Sequence, residues 1–183
     1  MNARHTIFIL AVAFLAVFVE ATFQVPRHLL GTQIDLLPAL MVYTALSNGI
    51  ATIALLAACG GLWFDSLSLN PLGASVLPLL VIGVAIYHSR ELLLREHTFA
   101  QVVLGISACA FQPLGTLFIL LNVGDMPMLG WISLWQWLVL AAAGGVVTPL
   151  CFRLFDRIHH AFDYPRMPQV SFRPDREIKR GRS

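Results

Sequence analysis

From Leu36 to Tyr87 the only charged side chain is Asp65. A helix or strand in water keeps a polar face toward the solvent, so an uncharged run of this length has no soluble fold to enter. A bilayer accommodates it, because each helical crossing of the hydrocarbon core takes about 20 apolar residues. The rest of the chain agrees: of 183 residues, 57% are hydrophobic and 12% charged. That balance places the chain with polytopic membrane proteins rather than soluble, fibrous or disordered ones. The expected fold is all-α, a single transmembrane bundle with no room for a soluble catalytic domain.

Hydropathy divides the chain into six segments. The first covers residues 6–23, and the second runs from 29 or 34 to 46, with an apolar part short enough to suggest a tilted or re-entrant helix. Ser47-Asn48-Gly49 breaks the chain before a third segment ending near Leu67. Asn70-Pro71 reads as a helix start, with Asn as N-cap and Pro at the first helical position, so a fourth helix is expected over 71–87. The fifth spans 99–121 and contains Pro113, a kink site. The sixth begins near Trp131 and continues past Pro149 to the Arg153 region. Residues 1–162 thus form a six-helix transmembrane domain with an amphipathic juxtamembrane end. Residues 163–183 form a basic, Pro-containing tail whose composition favours disorder.

Lysine and arginine placement sets the orientation, since basic loops stay cytoplasmic. With six crossings, one side holds Arg4, Arg90, Arg95 and every basic residue from Arg153 onward, while the other holds only Arg27. Both termini are expected in the cytoplasm. Arg4 and the apolar run after it also resemble a secretory leader, but the run is long and Glu20 is foreign to such a core. Trp131, Trp135 and Trp137 suit a headgroup zone at the outer start of the sixth helix.

Few residues offer chemistry. Asp65 has three readings: a carboxylate capping loop backbone through Ser66 or Ser68, a polar contact buried in the bundle or against a partner helix, or a proton or cation relay. Asp35 precedes Leu36-Leu37-Pro38 and suits helix capping. Glu20 suits a local pair with Arg27 or His28. Gly60-Gly61 and Gly144-Gly145 are small-residue contacts for close helix packing, internal or with another protein's helix. Phe152, Phe155, Ile158 and Phe162 recur opposite Arg153, Arg157 and His160, an amphipathic stripe for the inner membrane surface and its lipids. Cys59, Cys109 and Cys151 lie apart inside apolar blocks, so neither a disulfide framework nor a metal site is expected. No phosphate loop, HExxH, GxSxG or catalytic triad is present. The expectation is a non-enzymatic protein without cofactor and without a nucleic-acid partner.

Three stretches together resemble the MreD family of bacterial rod-shape-determining membrane proteins. They are Ile34-Asp35-Leu36-Leu37-Pro38; Gly60-Gly61-Leu62-Trp63-Phe64-Asp65 leading through Asn70-Pro71-Leu72-Gly73; and Thr148-Pro149-Leu150 before a basic end. Ile34 stands where that family often has Pro, and Ser47-Asn48 where a basic pair is common. The resemblance implies a scaffold subunit of the cell-elongation machinery that regulates cell shape. It would act beside an MreC-like protein, an MreB-like filament, a SEDS glycosyltransferase and a penicillin-binding transpeptidase in peptidoglycan synthesis. It points to Asp35, Pro38, Gly61, Asp65, Asn70, Pro71, Gly73, Thr148 and Pro149 as structural or partner-binding positions. The family is also similar to the six-helix S-components of energy-coupling-factor transporters, which implies vitamin-like small-molecule binding as the alternative. In that alternative the outer half offers Asp35, Asp65, Gln112, Asn122 and Trp63.

Overall fold

A computed structural model describes residues 3–22, 35–68, 71–90, 98–124 and 130–162. They form six helices: α1 (Ala3–Thr22), α2 (Leu37–Ser47), α3 (Ile50–Leu67), α4 (Val76–Ser89), α5 (Thr98–Val123) and α6 (Trp131–Phe162). Arg27, His28, Asn70, Arg95, Asp125 and the tail 163–183 fall outside the described residues.

Three stretches are long and apolar enough to cross a membrane: Ile50–Leu67, Thr98–Val123 and Ser133–Arg157. The apolar parts of α1, α2 and α4 are shorter. At 1.5 Å per residue, the 11-residue α2 reaches about 16 Å, roughly half the hydrocarbon thickness. The shortness expected of the second segment is therefore real, and its position explains it. Residues 37–45 of α2 are all buried, so this helix has no solvent or lipid face and forms the centre of the bundle. A helix apolar all round belongs in such a place.

The other helices surround α2. Side-chain contacts give their directions. α1 runs parallel to α3, with Thr6 hydrogen-bonded to Thr52 at one end and Phe14 edge-on to Trp63 toward the other. α3 and α4 are antiparallel, with Gly61 against Val76 and Ile53 against Gly83. α5 and α6 form the most extensive helix pair and are also antiparallel. At the Thr6 end, Tyr43 of α2 stacks on Phe155 of α6 with ring centroids 4.1 Å apart and meets Phe152 edge-on. Phe8 of α1 closes on the other side of Phe155. The outward surface is apolar nearly everywhere, as in Phe18, Leu62, Val81, Phe118 and Leu138. Such a continuous surface has no stable exposure to water.

Several sequence expectations change. α4 begins at Val76 rather than Pro71, because residues 72–75 form turns before the helix. Gly73 sits at φ +94°, a left-handed conformation that interrupts any helix started at Pro71 and that only glycine takes at little cost. As expected, α5 contains Pro113 and α6 continues past Pro149, reaching Phe162. Of the stripe expected on the membrane surface, Phe152 and Phe155 turn inward as core residues, while Arg153, Asp156 and Arg157 face out. Trp131 and Trp135 are exposed, whereas the Trp137 indole N–H donates to the Ala110 carbonyl across the α5–α6 contact at 2.8 Å.

The α5–α6 pair depends on the absence of side chains at two facing positions. A Cβ on Gly105 would overlap the Gly144 carbonyl oxygen and the Thr148 hydroxyl, and one on Gly144 would overlap Cys109 and the Gly105 carbonyl. Alanine in a helix interior gains about 1 kcal/mol over glycine, but overpacking against backbone costs about 1–3 kcal/mol. Gly105→Ala should therefore lower the unfolding temperature in detergent. Gly130→Ala, with nothing within 4 Å of the added methyl, should shift stability by no more than about 0.5 kcal/mol.

Candidate functional site

Three buried acidic side chains, Glu20, Asp35 and Asp65, gather at the end of the bundle opposite Phe155, and each is bound to backbone. Asp65, in the last turn of α3, is 1% exposed. Its Oδ2 accepts hydrogen bonds from the Gly73 N–H at 2.8 Å and the Ser75 N–H at 3.0 Å. The carboxylate therefore ties the end of α3 to the turn that leads into α4. Close approach makes this possible, since Gly61 lies against the Val76 backbone, where a Cβ would be 2.9 Å from Val76 Cα. Two readings of Asp65 merge here: it caps loop backbone, and it does so from inside the bundle. The Ser66 and Ser68 hydroxyls donate to the carbonyls of Trp63 and Asp65.

Glu20 and Asp35 serve the start of α2. Asp35 Oδ1 accepts the N–H of Leu37, the first residue of the helix, at 2.9 Å; the N-cap position is Leu36, so Asp35 serves the helix start from one residue before the cap rather than as the expected N-cap. Glu20, near the end of α1, accepts the Leu36 N–H. Both carboxyls are 8% exposed. An α2 N-terminus buried in apolar surroundings has donors that water cannot reach, and two acids from different segments satisfy them. Pro38, in the first turn, contributes no N–H to that need. The sequence suggested Arg27 or His28 as partners for Glu20, and both lie outside the described residues. Its bond to Leu36 was not legible, because it depends on the return path of a segment with no strong pattern.

The remaining positions separate into two groups. Asp35, Pro38, Gly61, Asp65, Pro71 and Gly73 belong to this end of the bundle, and Asn70 falls outside the described residues. Thr148 and Pro149 lie in the α5–α6 contact, where Thr148 is fully buried against Gly105. They are not part of the acidic cluster. Among the described residues no group of three His, Cys, Asp or Glu side chains could hold a metal ion.

Beside the acids lies a cavity of about 270 Å³. Asp35, Ser75, Gln112 and Thr116 supply polar atoms, and Phe64, Leu117, Leu120 and Leu140 supply much of its apolar wall. Ser75 and Thr116 had no signal in the sequence. Each becomes relevant only when the turn before α4 and the middle of α5 meet at Pro78 and Gly115. Trp63, proposed from sequence for a small-molecule pocket, instead packs on Phe14. Asn122 bonds its own helix at the Phe118 carbonyl.

Compared with protein families, with curated proteins and with solved structures, the chain matches none.

Removing the Asp65 carboxylate leaves the Gly73 and Ser75 N–H groups without their acceptor, at about 1–3 kcal/mol for each buried donor. Asp65→Ala should therefore unfold at a markedly lower temperature in detergent. Asp65→Asn keeps one acceptor oxygen and should lose much less. Equal melting of wild type and Asp65→Ala would contradict this role.

Proposed function

We propose that this chain is a non-enzymatic membrane scaffold of the bacterial cell-elongation machinery, a six-pass inner-membrane protein with both termini in the cytoplasm. The observation that carries the reading is the enclosure of Asp65 and its commitment to two backbone donors. A carboxylate so engaged organises a surface; it is poorly placed to relay protons, which requires exchange with a second group. The same unit contains the sequence stretch that most specifically resembles the MreD family, from Gly60 through Gly73. Charge placement supports the orientation. Arg90, Arg153 and Arg157 are exposed at the end of the bundle that holds Phe155, and the buried acids are at the other.

In this reading the Asp65-tied turn and the α2 start form a rigid outer end, and the apolar flanks dock single transmembrane helices of partners. Those partners are an MreC-like protein and, through it or directly, the SEDS glycosyltransferase, the penicillin-binding transpeptidase and the MreB-like filament. The six crossings include three shorter helices, which a locally thinned bilayer or burial within the bundle accommodates. The test is depletion in the native rod-shaped cell, joined to affinity purification in mild detergent. Cells should round up while old wall persists at the poles, and the purified protein should bring down MreC-like and wall-synthase partners. Rods of normal width after depletion would contradict the reading.

A second reading, a vitamin-capturing S-component, is favoured by one observation, the polar-lined cavity beside α5. It predicts that energy-coupling-factor subunits copurify and that a vitamin rescues growth of depleted cells.

A further inference from the structure

Two of the buried side chains whose polar atoms the fold leaves unpaired, Gln112 and Ser75, line the same cavity; others, such as Thr148 and Asn48, lie elsewhere. Gln112, in the middle of α5, is 5% exposed, and neither its amide nitrogen nor its amide oxygen has a hydrogen-bond partner among the described residues. The Ser75 hydroxyl, buried at the turn before α4, also has none. Both side chains line the cavity, with Asp35 and Thr116. Buried amides left unpaired are rare enough to need an explanation. Neither side chain is needed to cap a helix or close a turn, so their role lies toward the cavity.

The cavity's chemistry selects among occupants. Asp35 is the only charged side chain lining it, and no lysine, arginine or histidine does so among the described residues. An anion would meet that carboxylate without a countercharge. A wholly apolar molecule would leave Gln112 and Ser75 unpaired. A cation with several donors matches the acceptors: the Asp35 carboxylate, the Gln112 amide oxygen, and the Ser75 and Thr116 hydroxyls. An ammonium group carries three donors and no acceptor. The leucines and Phe64 then suit an apolar stem, and about 270 Å³ equals roughly nine water volumes, enough for the head and a short stem.

We propose that this cavity binds a primary ammonium group carried on an apolar stem, with Gln112 and Asp35 as its recognition residues. An oxygen near the amine would take the remaining Gln112 N–H. The site rests on neither functional reading above, since a scaffold and a transporter subunit could each carry it. Two sources carry a primary ammonium group: a free alkylamine, which also has the apolar stem, and an aminophospholipid headgroup, whose phosphate, two carbons from the amine, would have to stay outside the cavity.

The experiment uses the full-length chain in a maltoside detergent, with unfolding temperature followed against octylamine, octanol and octanoate. Octylamine should stabilise the wild type saturably, and the neutral and anionic probes should not. Gln112→Leu keeps the volume and helix propensity, and Asp35→Asn keeps an oxygen for the Leu37 N–H, so both variants should elute as folded protein. Each should weaken octylamine binding by about tenfold or more. Equal stabilisation by octanol, unchanged affinity in both folded variants, or no response to octylamine would overturn the proposal. Native mass spectrometry after reconstitution in mixed phosphatidylethanolamine and phosphatidylglycerol vesicles distinguishes the sources. Retention of phosphatidylethanolamine by wild type, lost in Gln112→Leu, assigns the lipid headgroup. Octylamine binding without lipid retention assigns a free amine, and equal retention of both lipids would count against ammonium recognition.

Discussion

A backbone N–H that water cannot reach must find an acceptor, and this constraint shapes the acidic end of the bundle. In a surface loop the N–H groups of Gly73 and Ser75 would bond to solvent. Here Ser75 is buried and Gly73 half-buried at the rim of the bundle, and Asp65 takes both. The start of α2 poses the same problem, answered by Asp35 from its own segment and Glu20 from α1. Isolated charges are costly in such surroundings. These carboxyls are retained because each satisfies donors that no other nearby group reaches.

The bundle tolerates a central helix of only 11 residues because its neighbours cover it on every side. Tyr43 shows how tightly. Its ring lies on Phe155 and meets Phe152, so the end of α6 joins the core rather than spreading over a surface. At the opposite end Glu20 and Asp35 take the first N–H groups of α2, and Asp35 lines the cavity with Ser75, Gln112 and Thr116. One short helix thus separates an aromatic floor from a polar mouth. Close backbone approach at Gly105 and Gly144 holds α5 and α6 together, and with α5 fixed, Gln112 comes to face Ser75 and Asp35 across the cavity.

Much of this was legible in the sequence, for identifiable reasons. Long uncharged blocks fix the helix count, and the small-residue pairs Gly60-Gly61 and Gly144-Gly145 mark close contacts whatever the neighbour is. Asp35 before an apolar helix start announces capping by local chemistry alone. The start of α4 was misplaced, because Asn70-Pro71 has the local form of a helix N-terminus. The signal that outweighs it, Asp65 drawing in the Gly73 and Ser75 N–H groups, is a contact between segments. Phe152 and Phe155 likewise carry a stripe that suits either a membrane surface or a neighbouring helix, and only Tyr43 decides between them. Gln112 was visible as a polar residue in an apolar block, but its cavity is a property of four helices, α2, α3, α5 and α6, together with the residues before α2 and α4.

If the proposed scaffold reading holds, Asp65 acts through the structure it ties together rather than in turnover. The most direct measurement is complementation of depleted cells by Asp65→Asn and Asp65→Ala, with the amount of folded protein in the membrane quantified alongside cell shape. The account predicts that cell shape follows the folded amount: Asn, which still accepts a hydrogen bond, restores rods, and Ala restores them only as far as protein survives. An Asp65→Asn protein that accumulates fully yet leaves the cells round would contradict it.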